Sequence, residues 1–257
     1  RLTVIPLLFC LVAALTLPLC AQTSRFPGVD PNTATLLTND QPVRAEHAMV
    51  VTVHHLATDA GVAILKEGGN AVDSAVAVGF ALAVVYPFAG NLGGGGFMLI
   101  HQHSAFIRHH HGERDIFIDY REKAPLAASP NMYLDAAGNV IPKASITGYR
   151  AIGVPGSVAG LVHAERNYGR LTLEKVMAPA IHLASEGFVL SDQEADELHD
   201  SVLTQFPASR KIFQRDGDFY KSGDTFRQPE LAATLRHIAD NPDDFYHGAM
   251  ARQIADA

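Results

Sequence analysis

Hydrophobic positions change their spacing from one stretch of this chain to the next, and the change predicts where helices and strands fall. Ala71–Val85 is apolar on nearly every face of a helical wheel, so it reads as a helix buried all round. It is too short to span a bilayer comfortably and stops before Pro87. Asn70 offers an oxygen to its first N–H groups, and Asp73, three residues on, completes a capping box. Upstream, Met49–Val53 reads as a first strand, and Ala57–Leu65 as a helix closed by Gly68 and Gly69. Downstream, Gly96–Ile100 and Ile116–Tyr120 read as two strands of a hairpin with a long, polar, histidine-rich loop.

From Gly153 onward the spacing becomes helical. Pro155 suits a first helical position, followed by Val158, Leu161 and Val162 on one face. Leu173, Val176, Met177, Ala180, Ile181 and Ala184 keep the helical period, with Pro179 expected to kink or split the segment. Ser191 and Glu194 form a second capping box that opens a helix toward Phe206. Gln228–Ala239 and the stretch from Gly248 to the end read as two further helices. Early strands, a wholly apolar helix against them and a long helical stretch afterwards imply a layered α/β arrangement.

The first residues form a separate pattern. Leu2–Leu19 is apolar apart from Thr3, Pro6, Thr16 and Pro18, and it gives way to Gln22-Thr-Ser24 after Ala21. That is the layout of a cleaved secretory signal over 1–21, with no stable membrane anchor. An uncleaved anchor or a lipid on Cys20 are the alternatives; Leu19 stands where a lipoprotein signal wants a small residue. Residues 22–44 read as an extended lead-in to a domain over 45–257. Both cysteines, Cys10 and Cys20, lie in the signal, so the mature part has no thiol chemistry and no disulfide.

Charge narrows the partners. Lys and Arg number 20 against 27 Asp and Glu, a net −7 with no long basic stretch, so nucleic acid is excluded as a partner. The run Gly93, Gly94, Gly95, Gly96 fails the dinucleotide pattern, because Met98 or Leu99 stands where the third glycine belongs. It fails the phosphate-loop pattern too, since no Gly-Lys-Ser/Thr follows. Ser157 is not in a hydrolase elbow, because Pro155 and Ala159 replace the required glycines, so it reads as a helix-start residue. His101, His103, His109, His110 and His111 cluster in the predicted loop region and read as surface residues rather than a metal site, as does His54-His55 as packing or surface. At the end of the second strand, Asp119 and Arg121 project to one face, so Asp119 can orient Arg121, while Glu122 suits a structural ion pair. Arginine there presents a rigid fork that fits a carboxylate.

Asn91-Leu-Gly-Gly-Gly-Gly-Phe-Met-Leu99, Ile118-Asp-Tyr-Arg-Glu122, Lys66-Glu-Gly-Gly-Asn-Ala-Val-Asp73 and Gly153-Val-Pro-Gly-Ser-Val-Ala-Gly160 together resemble the γ-glutamyltranspeptidases, or glutathione hydrolases. The resemblance runs from about Ala45 to the last residue. It implies a four-layer αββα sandwich of the N-terminal-nucleophile hydrolase class, here only its helix-rich amino-terminal part with an incomplete sheet. It also implies a precursor that cuts itself in two and frees an N-terminal threonine. That threonine accepts the γ-glutamyl group of glutathione or another γ-glutamyl amide as an acyl-enzyme, and passes it to water or an amino acid. The threonine is expected beyond Ala257, leaving these residues inactive alone. No catalytic residue, metal or organic cofactor is then expected here, and the working enzyme is a heterodimer with the self-derived small subunit. By the same resemblance Arg121 grips the α-carboxylate of the γ-glutamyl group, and the glycines pack beside the active-site sheet. A glutaryl β-lactam acylase or a polyglutamate-cleaving relative would keep these segments, and a non-catalytic periplasmic binding protein is the alternative outside the family.

Overall fold

The computed structural model describes residues 43–103 and 113–256. The signal segment, nearly all of the lead-in and His109–His111 lie outside the described residues. Of the unit Arg1–Glu46 only 43–46 are described, as exposed chain; His47–Ala257 forms a second compact unit.

Helix α1 runs His55–Lys66 and α2 Ala71–Val85, with Gly68 at φ 93° turning the chain between them. The predicted capping box is present: Asn70 Oδ1 accepts from Val72 and Asp73 N–H, and Asp73 Oδ2 accepts from Asn70 N–H at 2.6 Å. Val76, Phe80, Ala81 and Val84 on α2 are fully enclosed, but Ala71 and Ala75 stay exposed, so the burial is not complete. Small side chains are what let one stripe of an apolar helix face water cheaply.

Strands β1 (Phe97–His103) and β2 (Glu113–Asp119) pair antiparallel, with Phe97 opposite Asp119, Leu99 opposite Phe117 and Ile100 opposite Ile116. Helix α3 spans Ser157–Tyr168 and α4 Leu173–Glu186. A two-residue strand β3 (Phe188–Val189) leads to α5 (Asp192–Glu197), and α6 (Pro207–Phe213) follows a 3-10 turn over Ser201–Gln205. The short strands β4 (Gln214–Arg215) and β5 (Asp218–Phe219) pair with each other, and β6 (Thr225–Phe226) pairs with β3. Helices α7 (Pro229–Asp240), α8 (Asp244–His247) and α9 (Ala249–Asp256) complete the chain. The core lies where α2 packs on α1, α3 and α4, and α4 on α7. Val176, Met177 and Ala180 there meet Ala232, Leu235 and Ile238, all fully buried.

Four expectations need correction. Met49–Val53 is not a strand: no described segment pairs with it, and Val51 and Val53 are exposed. Pro155 is not the first helical residue; Gly156 is the N-cap and α3 begins at Ser157, and the Gly156 and Ser157 N–H groups, which have no acceptor within the helix, bond to the Gly94 carbonyl. Pro179 neither splits nor ends α4, since the carbonyl it deprives is that of exposed Lys175, where solvent can take over. The helix opened by Ser191 and Glu194 stops at Glu197, well short of Phe206, and Asp200 caps a new turn. The two-residue ladder β4–β5 has a sequence signature of its own: Asp216 and Gly217 sit at φ 56° and 89°, as a tight Asp-Gly hairpin requires.

Two buried polar devices tie helices together. Asp73 Oδ1 accepts from the N–H groups of Arg170 and Leu171 at 2.9 and 2.7 Å, joining α2 to the turn before α4. Gln228 Nε2 donates to the Val84 carbonyl at 2.8 Å, satisfying the far end of α2. Beside Asp73 the Glu165 carboxyl is 3% exposed and neither oxygen meets a conventional donor. Burial, and then the Asp73 charge, push its pKa up to about 8. Glu165 therefore holds its proton at neutral pH and shares it with Asp73. Asp73 itself, despite burial, is held below the ordinary carboxylate value by the backbone N–H groups of Asn70, Leu171 and Arg170.

Candidate active-site wall

Three of the singled-out segments meet at one end of the hairpin. Beyond the β1–β2 ladder, Tyr120 N–H donates to the Gly96 carbonyl at 3.0 Å and Gly96 N–H to the Tyr120 carbonyl at 3.3 Å. Three residues later, Lys123 and Val154 exchange N–H···O bonds of 3.1 and 2.7 Å. The Gly94 carbonyl accepts from both Gly156 and Ser157 N–H, at 2.8 and 3.0 Å. Arg121 and Glu122 are thus strung across two residues between backbone anchors, with the glycine run on one side and the start of α3 on the other.

The approach is too close for side chains. A Cβ at Gly156 would lie 1.8 Å from the Tyr120 carbonyl oxygen, and one at Gly160 2.1 Å from the Tyr120 ring. A Cβ at Gly95 would lie 2.5 Å from both Glu122 N and the Tyr120 oxygen. The four consecutive glycines are not equivalent: Gly96 is moderately tight against the Tyr120 ring at 3.0 Å, whereas a Cβ at Gly93 would meet only Asn91, at 3.5 Å. The run is there for backbone packing at its middle, not for a phosphate.

Arg121 is exposed. Its guanidinium lies 5.8 Å over the Phe97 ring and faces Glu122 at two points, Nη2 to Oε1 and Nε to Oε2, both 3.3 Å. Those distances are longer than a tight charge-assisted pair, and the pair is open to water. Asp119 does not reach the guanidinium; its Oδ1 accepts the Arg121 backbone N–H at 3.0 Å and so fixes the chain rather than the fork. Sequence reasoning missed Tyr120, whose half-buried ring carries a phenol pushed above its ordinary pKa by burial. It also missed Tyr246 on α8, whose hydroxyl donates to the Pro155 carbonyl and accepts from Ala159 N–H, each at 3.0 Å.

Ser157 is the buried first residue of α3. His101 and His103 stand on β1 rather than in a loop, and His101 Nδ1 meets Asp115 Oδ1 at 2.8 Å. His54 caps α1 with Nδ1 and meets Glu194 through Nε2, so its proton sits on Nε2. Glu194, despite burial, is kept below its ordinary pKa by Ser191 and His54. Among the described residues no three His, Cys, Asp or Glu side chains converge as a metal site would require, and no helix is long and apolar enough to cross a membrane.

A glycine-packed strand end thus presents an exposed arginine beside the start of α3. The γ-glutamyltranspeptidase family model matches residues 57–257. The chain belongs to that family. A glutathione hydrolase proenzyme of Escherichia coli is 50% identical over 218 residues, which cover 83% of this chain and 36% of that protein. The γ-glutamyltranspeptidase structure of Helicobacter pylori aligns with a TM-score of 0.76 and 42% identity, over 83% of this chain and 60% of that one. That of Pseudomonas nitroreducens, complexed with L-DON, aligns at 0.72 and 41%, over 82% and 60%. The chain therefore spans about a third of the length of the curated relatives it matches. The expected fold class holds: this is the helix-rich part of the N-terminal-nucleophile hydrolase sandwich, with one ladder of any length among the described residues.

Proposed function

We propose that these residues are the amino-terminal part of an exported γ-glutamyltransferase and glutathione hydrolase precursor. The nucleophilic threonine falls beyond Ala257, is freed by self-cleavage, and works in a heterodimer of the two products. Glutathione or another γ-glutamyl amide is the donor, and water or an amino acid the acceptor. Family membership and the names of the relatives support the reaction. The pattern of Leu2–Ala21 supports export to the periplasm or beyond.

One observation carries the assignment of a substrate contact. Arg121 is anchored at the backbone, yet its fork is exposed, set over the Phe97 ring and paired with Glu122 only at 3.3 Å. A substrate α-carboxylate can replace Glu122 on the same two donors at shorter distance. Asp119 acts by fixing the Arg121 peptide. In the precursor extended beyond Ala257, Arg121→Lys keeps the charge and loses the fork. A charge-assisted bond of this kind is worth about 1.5–3 kcal/mol, so KM for γ-glutamyl-p-nitroanilide should rise by about one to two orders of magnitude. Self-cleavage involves no free α-carboxylate and should proceed. Unchanged KM with normal processing would remove Arg121 from the site.

A further inference from the structure

We propose that Tyr120, seated in a socket made by Gly96, Gly156 and Gly160, is a positioning residue that sets the aim of the Arg121 fork. The inference rests on the reading of Arg121 as the substrate-carboxylate contact. It concerns how the fork is held, not whether it binds.

The geometry is specific. Tyr120 is the residue immediately before Arg121, and its peptide is bonded to Gly96 on both sides. Its carbonyl oxygen lies where a Cβ of residue 156 would have to be, at 1.8 Å. Its Cγ, Cβ and Cδ1 lie 2.1, 2.4 and 2.5 Å from the place of a Cβ at residue 160, on the first turns of α3. The ring edge closes on Gly96, with Cε2 at 3.0 Å from the place of a Cβ there. Ring and peptide are therefore pressed against helix backbone on one side and the glycine run on the other. Neither surface can yield by a rotamer change, because both are main chain.

The hydroxyl adds little to this. It reaches the Phe97 carbonyl only at 3.5 Å. The ring, not the phenol, does the positioning. A displacement of the ring is transmitted through one peptide unit to the arginine Cα. The far anchor, Lys123 on Val154, lies only two residues beyond, so the intervening chain cannot absorb the shift as slack. A misplacement of about 1 Å in a contacting group costs up to about 100-fold in a reaction that depends on orientation.

The test uses the full precursor and γ-glutamyl-p-nitroanilide. Tyr120→Ala and Gly160→Ala should each raise KM by about tenfold, with kcat within about threefold and self-cleavage intact. Tyr120→Phe should recover most of what Tyr120→Ala loses. If Tyr120→Ala or Gly160→Ala gives no processed protein, Tyr120→Leu and Gly96→Ala, which disturb the same contacts less, carry the measurement. A role limited to stability would lower the melting temperature and leave KM unchanged. Processed, active variants with wild-type KM, beside an Arg121→Lys whose KM does rise, would overturn the socket alone. Wild-type KM in Arg121→Lys would overturn the reading of the site and this inference with it.

Discussion

The helical layer and the hairpin place their apolar side chains differently. In the layer of α2, α4 and α7 each apolar stripe is covered by another helix, and Asp73 and Gln228 at its edges are hydrogen-bonded. The hairpin is apolar on both faces. Met98, Ile100, Ile116 and Ile118 pack on the core, while Phe97, Leu99 and Phe117 look outward, with Phe97 and Phe117 stacked at 5.6 Å. The layer is a finished core. The hairpin is a surface whose outward face carries the candidate site, and at its Arg121 end backbone contacts add to the side chains packed on the core.

That contrast can be broken by experiment, beginning with the layer. Phe80→Ala empties a fully enclosed site and should cost about 3–5 kcal/mol in the 257-residue chain, read as a shift in the urea midpoint. A loss below about 1 kcal/mol would mean the layer is not the core. Next comes the Glu165–Asp73 pair. An unfolded glutamate ionises near its ordinary value of 4.5, while folded Glu165 keeps its proton to about 8. The folded state thus binds the extra proton between those values, and stability from this group is fully present below the lower one and is lost as pH rises toward 8 and past it. Asp73 and Glu194, both lowered, act oppositely: their contributions are present above the ordinary carboxylate range and are lost as pH falls. Glu165→Gln should therefore flatten the decline in urea midpoint between about pH 5 and about pH 8.5, with the acid side unchanged. The same decline in both proteins would refute the shared proton. The smallest effect belongs to the hairpin. Leu99→Ser, at a position 73% exposed, should change the stability of the same chain by less than about 0.5 kcal/mol. A loss of about 2 kcal/mol there would show that the outer face is covered.

Local chemistry made some of this readable and hid the rest. The limits of α2 follow from Asn70, Asp73 and Pro87, all within reach of the helix they bound, and the Ser191–Glu194 box declares itself in the same way. The length of α5 was not readable, because its end depends on a new cap at Asp200 rather than on the box that starts it. Met49–Val53 has the valine-rich composition of a strand but no partner among the described residues, and composition says nothing about partners. Arg121, Asp119 and the four glycines were visible as a pattern. That Asp119 takes the Arg121 peptide, and that Gly95 matters more than Gly93, depends on how the chain from 119 to 122 lies against the glycine run. Asp73 reads as a cap from its neighbours alone, while its bonds to Arg170 and Leu171 cross 97 and 98 positions of sequence.

The double anchoring of Arg121 has a consequence for amide hydrogen exchange. From Tyr120 to Lys123 the side chains of Arg121, Glu122 and Lys123 are exposed, which would ordinarily mark a segment whose N–H groups exchange with solvent quickly. Here Tyr120 N–H is held by Gly96, Arg121 N–H by the Asp119 carboxylate, and Lys123 N–H by Val154. Those three N–H groups should keep their protons as a ladder does while the side chains of 121–123 remain wet. A ligand arriving at such a fork finds the backbone already ordered, so the conformational freedom lost on binding is confined to the arginine side chain and the ligand itself.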